Sequence, residues 1–306
     1  MNKKIYNLLI IFILLIIFYE ILNHSIIINK TIINSSKLWF YNILPSLLPI
    51  YIIVDLLINY NILNYFKYIT KPINKIFNIN NNSSIIFLLS ILSGFPSNSK
   101  YINTMLNNKL ININDANKLL LFTHFSNPLF IINTIGNNFL HNIKLGYIIL
   151  FSHYFGNIII GLINRKNSYI EYSNSYKNNS NNFITCLSNS IYNSIKVLIL
   201  LYGLITIFMI LTTIINCNIT INSFIKALIN SFLEITGGIY SISNLNINTI
   251  YKTILISFFL SFGGISIHMQ VLSILKDYKI NYLNYLKMRL FHGIISLTIT
   301  YLILML

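Results

Sequence analysis

The sequence predicts an all-α polytopic membrane protein, and three observations carry that prediction. Of 306 residues, 55% are hydrophobic and 9% are charged, with a mean hydropathy of +0.67. A soluble domain carries about a quarter charged residues. The apolar residues fall in long runs divided by short polar stretches, the pattern of successive membrane segments. Several runs are also broken by Gly, Pro and polar residues, at depths where irregular backbone survives only inside protein or beside water. About eight membrane segments are expected, counting reentrant half-helices, arranged as two pseudo-symmetric halves.

The charge balance narrows the function. Lys and Arg number 21 against 6 Asp and Glu, a formal net charge of +15. Nucleic-acid binding would gather the basic residues on one face. Here they are scattered between apolar runs, as interfacial anchors and contacts to anionic lipid are. Cys186 and Cys217 lack CxxC spacing and define no redox site.

Ile5 to Leu22 is the first apolar run. No small-residue cleavage site follows it, so it is expected to stay as a transmembrane helix, with Lys3 and Lys4 holding the N-terminus in the cytoplasm. Residues 1–37 thus read as a helix and a loop. In Leu38 to Ile58, Pro45 and Pro49 each remove a helical hydrogen bond and predict a kink or break. Asp55, near the end of that run, is expected at the interface. Asn61 to Asn82 is amphipathic and suited to lying on a membrane surface: Leu63, Phe66, Ile69, Ile73 and Phe77 recur at helical spacing, and Lys67, Lys71 and Lys75 between them point to the cytoplasmic side.

Ile85 to Leu92 is too short to span and runs into Ser93-Gly94-Phe95-Pro96-Ser97-Asn98-Ser99-Lys100. Ala116 to Gly136 is interrupted at Thr123-His124-Phe125-Ser126-Asn127-Pro128. Leu145 to Ile163 is an ordinary spanning candidate, and Asn164 to Asn182 is a polar loop. Ser190 to Ile215 spans. Phe224 to Ser243 is broken at Glu234-Ile235-Thr236-Gly237-Gly238, and Thr249 to Phe262 runs into Gly263 to Gln270. Leu286 to Leu306 is the last span, flanked by Lys287 and Arg289. The divisions are residues 1–37, a first half at 38–163, a polar loop at 164–189 and a second half at 190–306.

Two breaks share a form, an apolar half-segment, small residues, then a polar patch. Setting Gly94 on Gly264 brings Pro96 to Ser266, Asn98 to His268 and Lys100 to Gln270. Two related halves would show this pattern. At the first break Gly94 permits unusual backbone, Pro96 frees a carbonyl, and Ser97, Asn98 and Ser99 can cap the helix that follows. The dipole of that helix would favour an anionic or polar ligand, and Lys100 adds charge there. The bland alternative is a hairpin whose Lys100 snorkels to the headgroups.

Glu234, beside Thr236, needs a partner or water if ionised; a cation, a proton or Lys100 would serve, and the bland alternative is a carboxylate at the interface. His268 and Gln270 can each donate and accept, as polar-solute recognition requires. Ser93, Gly94, Pro96, Ser97, Asn98, Lys100, Asn127, Glu234 and Thr236 are therefore candidate solute contacts, with Gly263, Gly264, Ser266, His268 and Gln270. The histidines show no metal spacing and read as hydrogen-bonded structural residues. Walker A, GxSxG and HExxH motifs are all missing, so no enzyme, cofactor or metal is expected.

Ser93 to Lys100 resembles the SGFPxGAK signature of the YlbJ family of sporulation integral membrane proteins, placed among the nucleoside-recognition, or Gate-domain, membrane proteins. Asn114-Asp115-Ala116 leading to Ser126-Asn127-Pro128-Leu129-Phe130-Ile131 is similar to the segment ending NxGPxFI. Phe232 to Ile239 is similar to LEITxGI, and Ser261 to Val271 to FGGLSVHxQV. The resemblance covers most of the chain from Leu38 onward. Asn98 and Ser99 depart from the Gly-Ala pair, Ser126 replaces Gly, and the central loop is compact.

The resemblance implies two Gate-like halves, a role in endospore formation, and a transporter-like protein moving a nucleoside-like solute or an ion. The alternative is a non-transporting scaffold for assembly of the spore cortex or coat. Expected partners are membrane lipids, a small polar solute or coupling ion, and copies of the chain or other sporulation membrane proteins. The expected location is the forespore or mother-cell membrane.

Overall fold

The computed structural model describes residues 3–60, 67–166 and 182–306. Among these the chain forms fourteen α-helices and no strand. They make six spans long and apolar enough to cross a membrane, two of them (Ser25–Asn59 and Thr249–Ile274) built from more than one helix, or seven if one bent pair counts as a span. This is an all-α polytopic membrane protein.

Helix α1 (Lys3–Asn23) is apolar, and none of its spanning window is buried against the rest of the chain. The segment after it, expected as a loop, is helix α2 (Ser25–Leu38). It continues through a π-helical stretch (Trp39–Ile43) into α3 (Leu44–Asn59), 35 residues in all. Of the kink or break expected at the prolines, the break does not occur: the helix runs on through Pro45 and Pro49. Pro45 falls in the first turn of α3, directly after the π stretch, whose altered hydrogen bonding accommodates the missing N–H.

Helix α9 (Phe183–Asn218) has 36 residues. At 1.5 Å per residue it is about 54 Å long, well beyond a hydrocarbon core of about 30 Å. The polar residues that made α2 look like a loop are its contacts with α9. Thr31 meets Thr213 at 3.0 Å, Ser35 meets Thr206 at 2.9 Å, and Ser36 meets the Tyr202 hydroxyl at 2.8 Å. Trp39 Nε1 donates to Leu198 O at 2.9 Å. Such interhelical hydroxyl bonds hold helices where lipid supplies no hydrophobic drive.

The remaining helices form the body that carries the breaks. Helix α4 (Lys67–Phe77) lies at 96° to α5 (Asn81–Ser93). The expected start of the amphipathic stretch, residues 61–66, lies outside the described residues, as do residues 167–181 of the polar loop. Then come α6 (Ser97–Asn107), α7 (Ile113–Phe122), a π-helical stretch (Phe130–Phe139) and α8 (Ile143–Ile163). After α9 follow α10 (Ser223–Leu233), α11 (Ile235–Ser243), α12 (Thr249–Phe262), α13 (Gly264–Ile274) and α14 (Tyr282–Met305). Phe77, Phe87, Phe122 and Phe125 join α4, α5 and α7, with ring centroids 5.0–5.8 Å apart. Helices α8, α12 and α14 pack on one another around a buried polar seam.

Candidate functional site

Helix α5 ends at Gly94, whose φ of +78° and N–H bond to Ser90 O (3.0 Å) close the last turn. The polar residues that follow do not cap α6. Pro96 holds the N-cap position with no side-chain cap bond. Ser97 Oγ instead donates to the Tyr51 hydroxyl on α3 at 3.2 Å. Asn98 Nδ2 donates to Thr123 Oγ1 at 3.3 Å, and Ser99 Oγ to Asn98 Oδ1 at 3.3 Å. Ser93 Oγ returns to Leu89 O at 2.7 Å. These side chains bind the first break to α3 and to the second break.

Four breaks then meet in a row. A Cβ on Gly94 would lie 2.5 Å from the Asn127 nitrogen. Phe95 N donates to Phe125 O at 2.6 Å, and the Phe95 ring stacks on His124 at 4.6 Å. His124 Nε2 would lie 2.7 Å from a Cβ on Gly263, so the second break abuts the third. A Cβ on Gly264 would sit 3.2 Å from Ser231 O and 3.5 Å from Ile235 N, which flank the fourth break at Glu234. The internal match is also refined. Gly263 has φ +94° and bonds Phe259 O at 2.9 Å, closing α12 as Gly94 closes α5. Cap geometry thus pairs Gly94 with Gly263, one residue before the expected Gly264. Helices α6 and α13 each have 11 residues.

Lys100 neither snorkels nor meets Glu234. Its Nζ lies 2.7 Å from Asp55 Oδ1, with side-chain exposures of 3% and 6%. It also donates to Tyr51 O at 3.3 Å and sits 4.7 Å from the Tyr51 ring centroid. Asp55, expected at the interface, is therefore buried, because α3 runs on past Pro49 and carries it alongside α6. Thr104 Oγ1 donates to the same carboxylate oxygen at 3.4 Å.

Glu234 is buried and caps α11. Its Oε1 accepts from Thr236 N at 3.1 Å and its Oε2 from Gly237 N at 2.7 Å. A carboxylate at a helix N-terminus meets unpaired N–H groups and the positive end of the dipole. Arg289 makes the converse arrangement. Read from sequence as a flanking anchor, it is wholly buried. Its Nη2 donates to Leu121 O, in the last turn of α7, and its Nη1 to Asn157 Oδ1 (3.4 Å) and His292 Nδ1 (3.1 Å). Two lone buried charges thus sit on the oppositely signed ends of broken helices.

Three buried histidines, His153, His268 and His292, are held by backbone hydrogen bonds that fix their tautomers. Ser126 N donates to His153 Nε2 at 2.9 Å, so His153 Nδ1 carries the proton and donates to Ser261 Oγ at 2.8 Å. Ser261 continues to Ser296 at 2.8 Å, and Ser296 to Ser152 O at 3.1 Å. His292 Nε2 donates to His153 O at 2.8 Å. His268 Nε2 donates to Phe262 O at 2.9 Å. Gln270 Nε2 donates to Ser266 Oγ one turn away at 3.2 Å, so this pair bonds within α13. His124 Nδ1 lies 3.3 Å from the Tyr285 hydroxyl, and its buried Nε2 has no partner. Asn127 and Thr236 are half-buried beside the row. Among the described residues no three His, Cys, Asp or Glu side chains gather to hold a metal ion.

No family model matches this chain, and no solved structure matches it. The chain is similar, however, to the sporulation integral membrane protein YlbJ of Bacillus subtilis (strain 168). The two are 25% identical over 297 aligned residues, covering 84% of this chain and 73% of that protein. The similarity supports a multi-pass membrane protein involved in sporulation.

Proposed function

We propose that the chain moves a small polar solute across a membrane of the sporulating cell by alternating access. The observation that carries this reading is the row of four helix breaks, Gly94 on Asn127, His124 on Gly263 and Gly264 on the turn at Glu234. Broken helices expose backbone donors and acceptors in the membrane, which is tolerable where they are buried or serve a ligand. The two matched pieces, α5/α6 and α12/α13, would belong to Gate-like halves of a nucleoside-recognition type, and α2, α3 and α9 would form the frame they move against. The chemistry is transport without bond making. The N-terminus lies in the cytoplasm, where Lys3 and Lys4 hold it.

A scaffold role in spore-envelope assembly is the second reading. The internal satisfaction of Lys100 by Asp55 favours it, since a fully paired lysine leaves no charge for a solute. Uptake of nucleosides and a panel of small polar metabolites into proteoliposomes separates the two. Transport predicts saturable uptake, lost together with sporulation in Glu234→Gln and in Asp55→Leu with Lys100→Met, the double change that strands no charge. If both variants fold and sporulation persists, the transport reading fails.

A further inference from the structure

Helix α4 has three distinct faces. One docks on the chain: Thr70 and Phe77 are buried, and Asn74 bonds Asn81 and Ser84. A second is apolar and open, with Tyr68, Ile69 and Ile76 exposed by 85%, 55% and 45% and Pro72 exposed between them. The third, beside it, carries exposed Lys71 and Lys75 one turn apart. An open apolar stripe against an open cationic stripe suits neither bulk water nor the hydrocarbon core. It suits the boundary between them. The 96° turn from α5 lays α4 along the membrane plane if α5 crosses it.

The neighbouring turns are mostly basic, with Asp277 the exposed acid among them. Asn78 Nδ2 donates to Arg165 O at 3.3 Å and Asn82 Nδ2 to Leu110 O at 2.8 Å, which brings the turns carrying Arg165 and Lys109 beside α4 and the start of α5. The Tyr278 hydroxyl donates to Asn107 Oδ1 at 2.7 Å, which joins the turn of Lys276, Asp277 and Lys279 to the end of α6. The opposite end is different. There Lys226 and Lys252 donate to Asn216 O and Ser243 O at 2.8 Å each, which ties them to helix ends. None of the 6 acidic residues lies in α4.

We infer that α4 is an interfacial helix that docks on an anionic lipid leaflet, its apolar stripe at the acyl boundary and Lys71 and Lys75 among the headgroup phosphates. This is independent of whether the protein transports. Each lysine near an anionic surface adds about fivefold in lipid preference. The test uses the full chain in nanodiscs of phosphatidylcholine with phosphatidylglycerol, counting retained lipids by native mass spectrometry. Lys71→Gln with Lys75→Gln should lower the preference for phosphatidylglycerol tenfold or more. The Lys71→Arg, Lys75→Arg pair should keep it, and Lys226→Gln with Lys252→Gln should leave it unchanged. An unchanged preference in the folded glutamine variant overturns the assignment. A nitroxide on Ile76→Cys, with both lysines intact, should be broadened by oxygen and not by a water-soluble nickel chelate. The reverse result also overturns it.

Discussion

Asp55 and Lys100 meet 2.7 Å apart, from α3 and α6, with almost no solvent on either side chain. The pair joins the helix that packs on α9 to the helix that follows the first break. Removing one member strands the other charge, at a penalty of about 3–5 kcal/mol, whereas removing both is close to neutral. Lys100→Met should therefore destabilise by that amount in detergent unfolding, and Asp55→Leu with Lys100→Met should recover most of it. Additive effects across the cycle would show that the two charges do not depend on each other.

Gly94 should resist substitution. A methyl there meets the Asn127 backbone at 2.5 Å and must also adopt φ +78°. Positive φ and overpacking together predict a loss of about 2–5 kcal/mol for Gly94→Ala. Gly203 in α9 has nothing within 4 Å of its Cβ position. Gly203→Ala should be neutral or stabilising by up to about 1 kcal/mol through helix propensity. Parallel thermal unfolding of the two variants checks the contrast.

Arg289 bonds Leu121 O, Asn157 and His292 through one rigid fork. A lysine ammonium cannot reach all three. Arg289→Lys should lose about 1.5–3 kcal/mol for each bond broken. Hydrogen exchange should rise first at the C-terminal turn of α7 and at Thr123 to Phe125, because that end loses its cation. Uniform protection would mean that Arg289 does not hold the break.

Glu234→Gln should stay folded. Glutamine keeps one accepting oxygen, so it satisfies the N–H of Thr236 or of Gly237 but not both, and it loses the charge at the helix end. The expected loss is about 1–3 kcal/mol, from one hydrogen bond and the helix-end charge together. A sporulation defect in this variant at normal membrane abundance would then report on function and not on folding.

The breaks at Gly94, Asn127, Glu234 and Gly263 were legible because Gly, Pro and polar residues in apolar runs are local signals. Their convergence was not, since nothing at residue 124 announces that residue 263 lies against it. Asp55 was misplaced for a related reason. Its nearness to the end of an apolar run suggested the interface, while its partner stood 45 positions along the chain. Arg289, just after Lys287 at a helix start, looked like a headgroup anchor; only packing against α7 and α8 distinguishes it. The polar residues of α2 suggested solvent, yet Thr31, Ser35 and Ser36 face hydroxyls on α9. In a membrane interior, polar pattern alone does not separate water from a helix partner.

Whether the row of breaks opens to water from each side in turn can be measured without knowing the solute. Asn127→Cys is placed in a background where Cys186 and Cys217 are serine, and oriented proteoliposomes are treated with a membrane-impermeant thiol reagent from one face or the other. Alternating access predicts labelling from both faces, because it exposes the break beside Gly94 to each. Protection of Cys at position 127 from both faces, with labelling restored only on unfolding, would contradict it.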